Sequence, residues 1–320
     1  MTAKAPIPRP GAYELYWKFA YERQKAFELR LAGKPSPWSD DLIIQNFKFC
    51  NVFRAADRVS QYMIKEVCYN IEPNHPDDRL FQIVAFRFFS NIATWEAMCE
   101  LLGRAPIVQD LVDGTFEAAI EHVRRTYGKL YTGAFILCAT DAYGRRLKHL
   151  NHIELFKDMF VNERIAETIR RAGSLQVIYL LLHKFPLIGD FMAYQIAIDL
   201  NYSEYVNFSE NSFTKAGPGA LRGIKKVFSD TNGLTPEEII MWMVEHQDEE
   251  FKRFGYDFHG LFGRKIHAID AQNLFCETDK YCREALPELK SARSKIKSSF
   301  KESPDKLHIF LPPKWALITP

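Results

Sequence analysis

At 320 residues, of which 47% are apolar, the chain is long enough to bury one large core or two ordinary ones, which excludes a disordered or low-complexity protein. Its 42 Lys+Arg and 40 Asp+Glu leave a net charge of only +2, so affinity for a polyanion would have to come from a local basic surface. Cys50, Cys68, Cys99, Cys138, Cys276 and Cys282 form no Cys-x-x-Cys pair. That spacing speaks against a zinc site, an iron-sulfur cluster or a disulfide scaffold, and no metal or cofactor is expected.

In chain order, residues 1–39 read as an N-terminal arm. Its first ten residues lack an apolar signal-peptide core, and no uncharged run in the chain approaches the ~18 residues of a membrane span. A reduced, cytoplasmic protein without a membrane partner is expected. From residue 40 onward apolar residues recur at helical spacing while alternating β-branched runs are missing. The predicted fold is all-α, with helices over 42–69, 80–102, 115–127, 153–172, 174–185, 189–200, 236–254 and 269–286. Thr235-Pro236-Glu237-Glu238 is a clear start signal, with a capping residue, Pro at the first helical position and acids in the first turn. Residues 40–286 are read as one helical body, with lobes of about 40–180 and 181–286 and a cleft between them. Residues 287–320 form a basic tail, in which Lys290, Arg293, Lys297 and Lys301 share a helical side, with Lys295 nearby. Such a stripe suits a phosphate backbone or simply a solvated face.

Four segments carry candidate chemistry. Asn51, Arg54, Asp57, Arg58, Gln61 and Tyr62 form a polar stripe in an otherwise apolar run, suited to holding a guanidinium for a base or phosphate, or to an exposed ion-paired face. Lys184-Phe185-Pro186-Leu187-Ile188-Gly189-Asp190-Phe191 joins two helices by a Pro-x-x-Gly turn, and a helix starting at once presents its amides to a phosphate. The loop Lys215-Ala216-Gly217-Pro218-Gly219-Ala220-Leu221-Arg222-Gly223 also enters a helix. It is a second anion site or a Gly-rich entry to a tightly packed helix. It lacks the Gly-Lys-Ser/Thr of a nucleotide-triphosphate loop, and no G-x-x-x-x-G-K occurs elsewhere. Finally, Asp270, Asn273 and Glu277 share a helical face that Lys280 and Tyr281 continue, an amide between acids that suits a base edge or polar substituent.

The 186–193 turn resembles the helix-hairpin-helix of DNA glycosylases, with Leu187 standing where the hairpin pattern has its first Gly. Taken together, Asn51-Val-Phe-Arg54-Ala-Ala-Asp57-Arg58, Arg87-Phe88-Phe89-Ser90-Asn91, Pro186-Leu187-Ile188-Gly189, Ala216 to Gly223 and Asp270 to Glu277 resemble the α-glutamyl/putrescinyl thymine pyrophosphorylase family. That family is related to the helical domain of 5-hydroxymethyluracil DNA kinases, and the likeness spans roughly residues 40–285. It implies a helix-hairpin-helix glycosylase-like fold acting on double-stranded DNA with modified bases; no protein partner is identifiable.

The preferred expectation from this likeness is a monofunctional glycosylase that flips and excises a bulky modified pyrimidine as an anti-phage defence. Glu210, at the offset where hairpin enzymes carry their catalytic Asp, would stabilise the cationic sugar, with Asp270 as a second catalytic candidate and Asp199 and Asp190 as competing carboxylates that more readily cap or pair. Phe191, in place of a Schiff-base Lys, would leave water as the nucleophile. Asn51, Arg54, Asp57, Arg58, Asn273, Glu277 and Lys280 would hold the base. Leu187, Gly189, Phe191, Lys215, Gly217, Gly219 and Arg222 would hold the DNA backbone. The alternative is a transferase that displaces pyrophosphate from an activated thymine methyl group with an amine or amino acid.

Overall fold

A computed structural model describes the chain except residues 1–4, 71–74, 134–140, 290–292, 297, 304–305 and 320. Lys290 and Lys297 of the basic stripe therefore lie outside the described residues, while Arg293, Lys295 and Lys301 are exposed. In chain order the helices are α1 (Ala12–Leu31), α2 (Leu42–Asn46), α3 (Arg58–Tyr62), α4 (Pro76–Phe89), α5 (Ile92–Leu102), α6 (Val108–Val112), α7 (Thr115–Tyr127), α8 (Lys148–Lys157), α9 (Ile165–Arg170), α10 (Leu175–His183), α11 (Asp190–Leu200), α12 (Pro218–Val227), α13 (Pro236–Arg253) and α14 (Ala268–Ala285). The only sheet among the described residues pairs β1 (Ile7–Pro8) antiparallel with β2 (Phe228–Asp230). The fold is all-α, as expected. Among the described residues no helix is long and apolar enough to cross a membrane.

The chain divides into two units that do not follow a split near residue 180. The first gathers Met1–Asp57, Phe213–Phe310 and Ala316–Pro320; the second gathers Arg58–Ser212 and Leu311–Trp315. The first unit takes in the segment read as an arm, because residues 12–31 are a buried helix. Tyr16, Trp17 and Phe19 are at most 1% exposed. Tyr16 meets Phe275 of α14 at 4.8 Å between ring centroids, and Trp17 meets Phe251 of α13 edge-on at 5.0 Å. Each such aromatic stabilises the fold by about 1.5–3 kcal/mol through burial.

In the same unit α12 lies directly on α14. A Cβ on Gly223 would sit 2.0 Å from the Phe275 carbonyl oxygen, and one on Gly219 would sit 2.1 Å from Cys276 Sγ. These two glycines are required by the close approach of the helices. The predicted helix 42–69 is interrupted. Asp41 caps α2, accepting from the Ile43 and Ile44 amides at 2.9 and 3.3 Å. The chain after Asn46 is then drawn into backbone pairing with residues 298–300, through Lys48 N to Ser298 O and Phe300 N to Asn46 O, both at 2.9 Å.

In the second unit α4 is buried on every side from Arg79 to Phe89. Ser90 then adopts a left-handed φ of 45°, so 80–102 is two helices rather than one. Residues 153–172 are likewise broken, by the π-helical turn Asp158–Asn162 and by Arg164 at φ 48°. α10 and α11 are joined by the short Pro186-containing turn, as predicted.

Candidate functional site

The first unit brings most of the predicted base-holding residues together. The connection 50–57 folds on itself: Asp57 Oδ1 accepts the Asn51 amide at 2.7 Å, and Asn51 Nδ2 donates to the Ala56 carbonyl at 2.7 Å. These side chains offer the backbone an alternative to a helix, which explains why one does not form here. α14 then clamps the loop. Asp270 Oδ1 accepts the Arg54 amide at 2.9 Å, Glu277 Oε2 accepts the Cys50 amide at 2.9 Å, and Asn273 Nδ2 donates to the Asn51 carbonyl at 3.4 Å. Lys280 pairs with Glu277 at 2.6 Å.

Asp270 has a second structural task, because its other oxygen accepts the His267 amide at 3.1 Å and closes the first turn of α14. Two amide hydrogen bonds make it a structural clamp. Arg58 is exposed at the start of α3 and belongs to the second unit.

Sequence reasoning missed Arg23. It projects from α1, donating from Nε to the Cys50 carbonyl at 3.1 Å and from Nη2 to Asn51 Oδ1 at 2.5 Å. The available signal was an Arg in a segment dense with aromatics, which is readable only once residues 12–31 are taken as a helix.

Burial and close charges shift the titration of several groups in this cluster. Burial pushes the Asp57 carboxyl up to about 6; the Asn51 amide opposes the shift and Glu277 adds to it. Burial works against the charge of Lys280, but Glu277, Cys50 and Cys276 together outweigh it and the ammonium is held above its ordinary range. Burial also lowers Arg23 and raises the Cys50 thiol. A half-buried carboxyl held near 6, with Arg23 and Arg54 acting on it, can accept a proton while cations of the cluster offset a developing negative charge.

The predicted anion sites have different neighbours. In the α12 loop, Arg222 Nε binds Asp279 at 3.1 Å, and Lys226 and Arg283 bind the same buried carboxylate at 3.2 and 2.6 Å. Lys215 pairs with Glu237 at 3.7 Å, and Glu237 also accepts the Ala216 amide at 3.1 Å. Gly217 caps α12 with extended backbone, and the helix contact accounts for Gly219.

In the hairpin of the second unit, Leu187 has a left-handed φ of 70°. A non-glycine residue pays about 1–2 kcal/mol for that conformation, at the position where the hairpin pattern carries Gly. Gly189 caps α11, and nothing lies within 4 Å of where its Cβ would be. Phe191 is half-buried.

Among the competing carboxylates, Asp199 is fully buried and clamped by Arg87, whose Nη2 donates at 3.0 Å while Nε makes a second contact. Asp190 accepts from Tyr179 Oη at 2.5 Å and pairs with His183 at 3.1 Å. Glu210 lies in the loop after α11 and is 4% exposed.

Architecture and cluster define the class first: an all-α protein of two helical units, the first holding a part-buried array of mixed polar charge. The chain belongs to the family of 5-hmdU DNA kinase helical domains, whose model matches residues 11–291. A 5-hmdU DNA kinase from Bacillus phage SP10 is 25% identical over 289 residues, which are 84% of this chain and 44% of the relative. The chain thus spans less than half the length of that curated relative. No solved structure matches. The family match begins at residue 11 and takes in α1, which the expected arm would have excluded. It also overturns the expectation of base excision, since the family and relative are described by a kinase of a modified base. The glycosidic-bond roles given to Glu210 and Asp270 are withdrawn with it.

Proposed function

We propose that this chain acts on DNA carrying a 5-hydroxymethyluracil-type base, taking part in group transfer at the 5-substituent and leaving the glycosidic bond intact. The observation that carries the reading is the part-buried cluster of Arg23, Asn51, Asp57, Asn273 and Lys280 around the buried Glu277. It offers donors, acceptors and a carboxyl that titrates near 6. A flipped base presents that kind of edge, and a hydroxyl or amine nucleophile needs that kind of proton acceptor. The kinship to the kinase helical domain supports the substrate class.

Within this reading we favour displacement of pyrophosphate by an amine, the chemistry of the thymine pyrophosphorylases that the motifs resemble. The specific support is the ordered set of motifs that resemble that family, Asn51 to Arg58, Arg87 to Asn91, Pro186 to Gly189, Ala216 to Gly223 and Asp270 to Glu277. The amine nitrogen would bond to the 5-methylene carbon as its carbon–oxygen bond breaks. Pyrophosphate would leave with that electron pair, and the amine proton would pass to the Asp57 carboxylate. Lys280 and Arg23 would offset the charge of the leaving group.

The test is nucleoside mass spectrometry of duplex DNA containing 5-hydroxymethyl-deoxyuridine, or its pyrophosphorylated form, after incubation with the full chain and an amine. An amine adduct with release of pyrophosphate is expected from the pyrophosphorylated DNA alone. Free base with an abasic strand, or no change in either DNA, would defeat the proposal.

A further inference from the structure

Lys314 lies beyond the residues matched by the family model, on the segment Leu311–Trp315 that belongs to the second unit. Its ammonium donates to three main-chain carbonyls, those of Asn201 at 2.5 Å, Ser203 at 2.8 Å and Val206 at 2.5 Å. Asn201, Ser203 and Val206 are at most 3% exposed. Asn201 is also the last-turn cap of α11, so the helix dipole adds negative potential at the same point. Three converging carbonyl dipoles out of water are costly unless a cation meets them, and an ammonium brings three donors to three acceptors.

The turn is built independently of the lysine. Asn201 Nδ2 donates to the Phe208 carbonyl at 2.9 Å, its Oδ1 accepts the Phe208 amide at 2.8 Å, and Tyr69 Oη donates to the Tyr202 carbonyl at 2.9 Å. The lysine is delivered by its neighbours. Leu311 is buried, and Trp315 packs edge-on against Tyr202 at 5.8 Å between ring centroids.

We propose that the turn 201–206 is a monovalent-cation cage, closed in this protein by the Lys314 ammonium, and that loss of this ammonium opens the cage to a potassium-sized ion. The three ligands are uncharged carbonyls, the type that replaces the hydration shell of potassium in selectivity filters. The proposal is independent of the catalytic reading.

Thermal melting of the full chain in KCl, NaCl and choline chloride at equal ionic strength tests it. The parent protein should melt alike in all three. Lys314→Met should melt lower in choline and regain about 3–8 °C in KCl, saturably with potassium concentration. Equal melting of Lys314→Met in the three salts would overturn the cage. Should that variant fail to fold in every salt, Lys314→Gln, which keeps the stem and an amide donor, is run through the same series. Absence of a potassium-specific gain in Lys314→Gln would overturn the proposal as firmly, and a gain would support it.

Discussion

The Asp57 carboxyl is held near 6 in the fold against an ordinary value of 3.8. Between those values the folded chain binds a proton that the unfolded chain has lost. The associated stability is therefore fully present below pH 4 and is lost as pH rises through 6. Asp57→Asn keeps an oxygen for the Asn51 amide and removes the titration. It should be more stable than the parent at pH 7.5 by on the order of 1–3 kcal/mol, and its melting temperature should lose the corresponding decline between pH 4 and 7. Base modification by this variant should fall at least about a hundredfold. Parallel melting and turnover series across pH check both, and unchanged turnover removes Asp57 from the chemistry. Asp199 is fully buried and ion-paired with the buried Arg87. Asp199→Asn strands that guanidinium and should cost about 3–5 kcal/mol, read as a lowered urea midpoint.

At the scale of elements, two glycines that look alike in sequence have different work. Gly223→Ala would press a methyl onto the Phe275 carbonyl and force α12 off α14, costing about 3 kcal/mol. Gly189 has open space around it and a φ of −79°, so Gly189→Ala should leave melting nearly unchanged. If the hairpin amides meet a DNA phosphate, the same variant should weaken binding to modified and unmodified duplexes alike and reduce the salt slope of affinity. Fluorescence anisotropy at several salt concentrations decides this, and an unaltered slope argues against the contact.

The α10–α11 turn and α13 were legible because their signals are local: Pro, Gly and a capping box within a few residues. The breaks at Ser90 and in 42–69 were not. A left-handed serine has no sequence signature, and the loop at 47–57 is held by partners near 270–300. The same distance explains why the polar residues at 51–57 and 270–280 could be proposed separately from their types, while their union and the role of Arg23 waited for the fold. The likeness to DNA-modifying families was readable from the motifs. The choice of excision over transfer was not, because a buried carboxylate and a hairpin suit either reaction.

At the scale of the whole molecule, the near-neutral net charge of +2 would leave any DNA affinity to local features, and segments near both ends, α1 and Leu311–Trp315, are packed into the units of the fold. α1 illustrates this. It places Tyr16 and Trp17 against α14 and α13 and reaches the polar cluster through Arg23. Its polar residues are interleaved with apolar ones, so it reads as an arm although several of its sides are buried. Deleting residues 1–31 should therefore remove several aromatic contacts worth about 1.5–3 kcal/mol each, more than the 5–15 kcal/mol margin of a typical domain readily absorbs. The truncated chain should lose cooperative melting in the first unit and bind the dye ANS, whereas a dispensable arm would leave the transition intact. Arg23→Ala separates the two contributions of the helix. It keeps the aromatic packing and removes the hydrogen bonds to Cys50 and Asn51, so it should retain a cooperative transition, lowered by about 1–3 kcal/mol, while base modification falls as the 50–57 loop loosens. A cooperative transition in the truncation, or full activity in Arg23→Ala, would show that the cluster is organised without α1.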